Sequence, residues 1–390
     1  MNLVLVICFW SAVVLLLHTY AGYPVVLWLL ARLGLVYRPW GRSDCCDDSP
    51  TVSLLVAAHN EHDVIEAKMA NCAQLDYPGG RLEVLLGSDG STDATVELAR
   101  RSGPSNLRIF DFPQRSGKGS VLNRLAQAAR GEILVFSDAN TMYDPQALQR
   151  LVAWFTDPRV GCVSGRLRLV SPDANPGGRG EGLYWRYETT LKRLESAAGA
   201  LIGANGAIYA IRRELFVPIP RGTVNDDFLL SVKVLEQGYR SLYEPGAEAT
   251  EETAPSLAGE YRRHLRDAAG HFQVLSLTWR LLNPLRGRVA FGYFSHRVIR
   301  WFAPFLLGAM LLASAFLADE PLYRTMLLAQ VSGYGLALLG YMGMRLKMRI
   351  GPLYVPLYAV MLHLALLVGL LRHLTHRQSA TWTPERARGG

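Results

Sequence analysis

The sequence predicts an α/β domain on a doubly wound, largely parallel sheet, set between membrane-spanning segments. Three observations predict it. Short apolar, β-rich runs alternate with helical stretches from about residue 50 to residue 140. Carboxylates follow those runs directly: Val84-Leu85-Leu86 precedes Asp89, and Ile133-Leu134-Val135-Phe136 precedes Asp138. Long charge-free stretches occupy the two ends of the chain and leave the middle ordinary in composition. An α/β sheet binds ligands where its strands end, so the carboxylates mark a binding edge.

Residues 52–57 read as the first strand, bounded by Pro50 and by His59-Asn60-Glu61, with a helix from about Asp63 that carries Asn71. Residues 82–86 form the second strand. Ser91 or Thr92 is the expected cap of a helix over 94–101, with Asp93 favourable at its start. Residues 107–110 are a short third strand. Gly117-Lys118-Gly119 opens a helix to about Ala129, and 133–136 is the fourth strand. After Asp138 the pattern changes: a helix over 145–155, an extended run over 160–170, and a Gly/Pro-rich loop over 173–182. A helix over 183–198 carries Trp185, Tyr187 and Glu188. Residues 203–211 are small enough to allow close approach of a ligand. A helix over 228–237 ends at Gly238. No internal repeat is apparent.

Residues 1–31, 302–318, 325–344 and 351–371 contain no Asp, Glu, Lys or Arg. About four transmembrane helices are therefore expected. The first run lacks a basic leader and is too long for a signal peptide, so it reads as an uncleaved anchor. The expected organisation is an anchor over 1–36, a globular domain over 50–270, amphipathic interfacial helices over 271–300, membrane helices over 301–371 and a basic tail over 372–390. Arg32, Arg38 and Arg42 place the globular domain in the cytoplasm of a multi-pass inner (plasma) membrane protein. Arg345, Lys347 and Arg349 fit the same side, and Asp319 and Glu320 the other. Four full crossings put Arg372, Arg377, Arg386 and Arg388 outside, which leaves a re-entrant or interfacial last segment, at Pro352 and Pro356, as the alternative.

The formal charge of +8 flanks these segments and suits membrane lipids. The stretch over 272–301, with Arg280, Arg286, Arg288, Arg297 and Arg300, reads as helices lying in the interface. No basic-aromatic array suggests nucleic acid. Cys8, Cys45, Cys46, Cys72 and Cys162 lack zinc spacing and read as reduced structural residues.

Asp138-Ala139-Asn140 is the strongest candidate site. Asp138 and the Asn140 oxygen can ligate Mg²⁺ or Mn²⁺, which offsets the charge of a departing diphosphate; the bland reading is a turn cap. Asp89 either contacts a base or ribose or closes a strand-end turn. His59 and Glu61 stand where a base would lie, or are structural. Lys118, in its Gly-rich turn, either touches phosphate or is an exposed loop lysine. In Asn225-Asp226-Asp227, one carboxylate is either a general base for an acceptor hydroxyl or a helix N-terminal charge. Arg262-Arg263-His264-Leu265-Arg266 either contacts headgroups or supplies Arg266 as a diphosphate clamp.

In this order, His59-Asn60-Glu61, Asp89-Gly90-Ser91-Thr92-Asp93, Gly117-Lys118-Gly119, Asp138-Ala139-Asn140, Gly203-Ala204-Asn205-Gly206 and Asn225-Asp226-Asp227 resemble the membrane-bound family 2 glycosyltransferases. These are relatives of the bacterial cellulose and poly-N-acetylglucosamine synthases. The resemblance spans about residues 50 to 300. Ser295-His296-Arg297, Trp301, Pro304, Trp382 and Arg386 extend it. It implies a GT-A fold, with Glu61 and Asp89 on the nucleoside and Asp138 on nucleotide and metal. Asn140 takes the usual second-Asp position, and Asp227 is the base, beside Asp226. Asn205, His59 and Lys118 join the nucleotide-sugar site. Arg266 falls on the arginine of the Q-x-x-R-W motif, with Arg263 where Gln is usual and Asp267 where Trp is usual. The departure at 267 speaks against long-chain synthesis.

The implied activity is inverting transfer from a nucleotide sugar, expected to be a UDP-sugar. The expected acceptor is membrane-associated, a lipid-linked species or a glycan, in cell-envelope or exopolysaccharide synthesis. Two readings compete: a processive β-glycan synthase, separable by product length, and a non-catalytic assembly subunit. A partner subunit is left open.

Overall fold

The computed structural model describes residues 2–38, 49–170, 178–252, 257–346, 348 and 350–375. Arg42, Cys45, Cys46, the 173–177 part of the expected loop, Lys347, Arg349, Arg377, Trp382, Arg386 and Arg388 lie outside the described residues.

Helices α1 (Leu3–Leu17) and α2 (Tyr23–Arg32) are joined by a π-helical turn, His18–Gly22, into one apolar rod. The sheet follows. It consists of β1 (Val52–Ala58), β2 (Leu82–Asp89), β3 (Leu107–Phe112), β4 (Ile133–Asp138), β5 (Met142–Tyr143), β6 (Val160–Val170), β7 (Tyr209–Arg212) and β8 (Arg240–Glu252). Their order is β3-β2-β1-β4-β7-β6-β8-β5. The half formed by β3, β2, β1 and β4 is parallel, as expected for a doubly wound sheet. The other half is mixed, which corrects the expectation of a largely parallel sheet. Strand β7 runs antiparallel to β4. It starts at the edge where β4 ends, because the loop before it is held there: Asn205 N donates to Ser164 Oγ at 2.9 Å, and Ala204 N to Ser231 Oγ at 3.0 Å.

The strand period of two sends Leu55, Leu85, Leu134 and Phe136 into one layer and Leu54, Val56, Val84, Leu86 and Val135 into the other. Strand β1 is buried on both faces, as its near-continuous apolar run requires. Helices α3 (Ile65–Ala73) and α4 (Thr95–Ser102) cover one face and α5 (Lys118–Ala128) the other. The cap of α4 is Asp93, not Ser91 or Thr92: its Oδ1 accepts from Thr95 N at 3.0 Å. Helix α6 (Ala147–Val152) tightens into a 3₁₀ turn over Ala153–Thr156. Helix α7 (Gly178–Ala197) starts earlier than its sequence suggests, so residues 178–182 are helical, not loop. Helix α8 (Asp226–Glu236) also starts early and takes both acidic residues into its first turn. Gly238, at φ +91°, ends it as expected.

Helix α9 (Leu257–Thr278) runs unbroken past residue 270 and leads through short turns into α10 (Arg288–Gly292), a π-helical segment Tyr293–Val298 and α11 (Ile299–Trp301). Helices α12 (Ala303–Phe316), α13 (Pro321–Arg345) and α14 (Tyr354–Leu374) complete the chain. Among the described residues, the rods Leu3–Arg32, Pro321–Arg345 and Gly351–Leu374 are long and apolar enough to cross a membrane. A fourth is possible if Arg288–Trp301 and Ala303–Phe316, bent by 60°, form one span. Pro352 and Pro356 stand in the first turns of the last rod without breaking it.

A buried ionic junction joins rods and domain. His296 Nδ1 meets Glu195 Oε1 at 2.6 Å, and Tyr23 Oη donates to the same oxygen at 2.9 Å. Glu195 Oε2 accepts from Ile202 N at 3.1 Å, and Arg300 pairs with Glu188. The two π-helical turns meet beside it, where Thr19 Oγ1 donates to Ser295 O at 2.5 Å. Among the described cysteines, Cys72 and Cys162 are buried and all are unpaired thiols.

Candidate active site

Strand register sets the site. Ala57 of β1 stands beside Gly87 of β2 and Asp138 of β4, so His59, Asp89 and Asp138 leave the sheet at one edge. Helix α5 starts at the same edge. Gly117, at φ +89°, turns the chain into it and points Lys118 over the strand ends.

Lys118 is the hub. Its Nζ lies 2.6 Å from Asp138 Oδ1 and 3.9 Å from Asp226 Oδ2. Burial works against the Lys118 ammonium, but Asp138, Asp226 and Asp227 outweigh it and raise its pKa. Burial lifts the Asp226 carboxyl to about 6 against the pull of Lys118. Asp227 is raised for the same reason, again with Lys118 opposing. Asp226 is only 5% exposed, and its Oδ2 has no hydrogen-bond partner among the described residues; Asp227 is more open. The Gly203–Gly206 loop packs on this turn. A Cβ on Gly206 would come 2.8 Å from Asp227 Oδ2, and one on Gly203 2.5 Å from the Phe228 ring. The small residues at 203 and 206 thus admit the first turn of helix α8 against this loop.

Asn140 donates from Nδ2 to Glu251 Oε1 at 3.1 Å. Burial and then Asp138 raise Glu251 to about 7, while Asn140, Arg263 and Lys118 pull it down. Arg263 thus belongs to the same field, from helix α9. Arg266 lies 3.8 Å from its own neighbour Asp267, whose backbone oxygen accepts from Asn225 Nδ2 at 3.0 Å. Burial raises the Asp267 carboxyl, with Arg266 and Arg263 opposing.

Asp89 is engaged internally: its Oδ1 accepts from Ser116 N at 2.6 Å and its Oδ2 from Gly117 N at 2.8 Å. It therefore builds the turn that presents Lys118. His59 Nδ1 contacts Asp89 O at 2.7 Å, and Glu61 N donates to Thr95 Oγ1 at 2.8 Å. Asn205 lies on the loop beside Asp227.

Two residues at this edge escaped the sequence reading. Glu251 is one. The other is Lys68 of α3, which is fully buried under the Asp138 turn. Its Nζ donates to Ser137 Oγ at 2.7 Å and Thr141 O at 2.5 Å, and it lies 4.7 Å from the Tyr143 ring centroid. Burial lowers its pKa. Asn71, one turn on, holds Tyr143 through two backbone bonds of 2.8 Å. The signal for Lys68 was its place among Ile65, Met69 and Cys72 on one helix face.

Among the described residues, no three His, Cys, Asp or Glu side chains converge as a ready metal set. The oxygens of Asp138 and Asn140 are nonetheless hard donors of the type Mg²⁺ and Mn²⁺ select, and a diphosphate and water supply the remaining positions in such sites. The residues present fit such an ion.

Residues 53–217 match the model of glycosyl transferase family 2. The chain is 28% identical over 234 residues to the poly-β-1,6-N-acetyl-D-glucosamine synthase of Staphylococcus aureus, an alignment covering 59% of this chain and 56% of that protein. It is 24% identical over 268 residues to the synthase of the same name from Staphylococcus epidermidis, covering 65% of each. In fold it is similar to the mannosyltransferase PcManGT of Pyrobaculum calidifontis, solved with GDP-Man and Mn²⁺, with a TM-score of 0.69, 24% identity and coverage of 95% and 99%. The fold is GT-A-like: a Rossmann-type α/β unit with a mixed sheet. The chain carries a glycosyl transferase family 2 domain and is homologous to the staphylococcal poly-β-1,6-N-acetyl-D-glucosamine synthases.

Proposed function

We propose that the chain is an inverting glycosyltransferase that moves a sugar from a nucleotide sugar to a membrane-associated acceptor. The observation that carries the proposal is the convergence of Lys118, Asp138, Asp226 and Asp227 at the ligand edge of a family 2 domain.

Asp227 is the base. It is the more open of the two acidic residues in the first turn of α8. It takes the proton of the acceptor hydroxyl as that oxygen attacks the anomeric carbon. The bond from that carbon to the phosphate oxygen breaks, and the nucleoside diphosphate leaves with the electron pair. Attack from the face opposite the leaving group inverts the centre. Lys118 balances the diphosphate charge, and its raised pKa keeps it cationic at any working pH. Asp138 and Asn140 hold a Mg²⁺ or Mn²⁺ ion, which when bound supplies charge stabilisation to the leaving diphosphate. Asp226 stays behind Asp227 and tunes the local charge. Arg263 and Arg266 lie on α9 as further cations for the donor. His59, Glu61 and Asp89 wall the nucleoside end, and Asn205 borders the base.

The apolar rods support an integral membrane enzyme with its acceptor at the bilayer surface. The names of the homologous synthases support a role in exopolysaccharide synthesis, and Asp267 favours transfer of one or a few sugars over polymerisation. Nucleotide release by the purified full chain in nanodiscs tests the reading, with UDP-, GDP- and dTDP-sugars and Mn²⁺ or Mg²⁺. Release with one donor, abolished by EDTA and restored by Mn²⁺, is expected. Neither release nor binding with any donor overturns it. A product ladder would favour the processive alternative.

A further inference from the structure

The second position of the Asp138-Ala139-Asn140 turn carries an amide, and that choice has a partner. An aspartate offers a cation two equivalent oxygens; an asparagine offers one, and a half-turn of its amide replaces that oxygen with a repelling NH₂. Asn140 therefore serves a cation only if something fixes its orientation. Glu251 lies 3.1 Å from Asn140 Nδ2. An ionised Glu251 is satisfied only by the NH₂ end of the amide, so this contact turns the Asn140 oxygen away from Glu251.

The backbone puts Glu251 there by design of the sheet. The short strand β5 pairs antiparallel with the end of β8, Met142 against Thr250 and Tyr143 against Ala249. Asp144 N donates to Glu248 O at 3.0 Å and extends the same pairing. The chain segment leaving Asn140 is thus stitched to the segment leading into Glu251. The charge logic is reciprocal. An aspartate at 140 would set a second carboxylate against Glu251, beside a third at Asp138, and like charges at this range repel.

We infer that Glu251 is a positioning residue that orients the Asn140 amide toward the donor's metal ion, so that Asn140 and Glu251 act as one exchangeable acid–amide pair. The inference rests on the metal-dependent donor binding proposed above.

The test is Mn²⁺ affinity of the purified full chain, by electron paramagnetic resonance, in the presence of UDP or GDP. Glu251→Ala is expected to weaken Mn²⁺ binding about 10- to 100-fold, the usual cost of losing an outer-shell partner. Asn140→Asp alone is expected to weaken it as well. The double variant Asn140→Asp with Glu251→Gln restores a carboxylate facing an amide, with the polarity exchanged, and is expected to return to about three-fold of the wild type. A role limited to folding would not produce that rescue. Unchanged affinity in Glu251→Ala overturns the inference. So does a double variant no better than either single one, which would make Glu251 a direct ligand or a structural group. Wild-type chain that binds no Mn²⁺ with either nucleotide overturns the metal reading itself, and this inference with it.

Discussion

Lys118 and Asp138 are joined across the ligand edge by an ion pair of 2.6 Å, and Asp226 waits 3.9 Å from the same ammonium. Asp138, Asp226 and Asp227 together raise the pKa of that one ammonium, so Lys118 couples the β4 end to the first turn of α8.

Lys118→Met removes that cation without removing its aliphatic stem. Charge-assisted bonds of this kind contribute roughly 1.5–3 kcal/mol, so nucleotide affinity should fall about 10- to 100-fold. Titration calorimetry with the donor identified in the release panel checks it. An affinity within two-fold of wild type would show that Lys118 serves Asp138 alone and not the donor.

Asp227→Asn keeps shape and removes the base. Turnover should drop about 10²- to 10⁴-fold, the usual contribution of a positioned base. Nucleotide affinity should stay near wild type, because the proposed donor contacts lie at Lys118 and Asp138. Steady-state release and equilibrium binding on one preparation separate the two effects. A fully active variant would remove Asp227 from the base role.

Asp226→Asn is expected to stabilise the protein at neutral pH while impairing turnover. Burial raises Asp226 from 3.8 to about 6, so the folded state holds this proton more tightly than the unfolded chain does. The resulting stability is fully present below pH 3.8 and is lost as pH rises through about 6. At pH 7.5 the ionised, buried carboxylate is therefore a net cost to folding. The variant should therefore melt several degrees higher than wild type at pH 7.5, and the gain should vanish near pH 4. Thermal melts at the two pH values check this. A variant that melts lower at pH 7.5 would mean that the ionised carboxylate is compensated by its surroundings.

Much of this was legible in the sequence because the signals were local. Strands β1, β2 and β4 are buried apolar runs, and Asp89 and Asp138 stand at their ends because the chain must turn there. Lys118 declared itself through the flanking glycines. What could not be read depends on distant pairing. Strand β7 reverses because Ser164 and Ser231 hold the loop before it, and neither is near it in sequence. Glu251 reaches Asn140 across 111 positions through the β5–β8 pairing. Asp89 has the chemistry of a ligand-binding carboxylate, and its oxygens also hold the backbone of Ser116 and Gly117. Residue type alone does not separate those roles.

The loop over Gly203 and Gly206 gives a last prediction, in which two similar changes should act on different properties. Gly203 sits at φ +99°, where a side chain is strained, and a new Cβ would also come 2.5 Å from the Phe228 ring. A buried ring cannot swing aside, so Gly203→Ala should cost at least the roughly 1–2 kcal/mol of left-handed strain and lower the melting temperature. Gly206 has no such backbone demand. Its Cβ would meet the Asp227 carboxylate instead, 2.8 Å from Oδ2 and 3.1 Å from Cγ. A carboxylate on a partly open side chain can rotate away, so Gly206→Ala should leave the melting temperature within a few degrees. It should also displace the proposed base, and a misplacement near 1 Å costs about 10²-fold in rate. Melting curves and turnover measured on both variants decide the matter. Equal losses of stability would make the whole loop a packing element, whereas loss of turnover alone in Gly206→Ala would tie the placement of Asp227 to the chemistry.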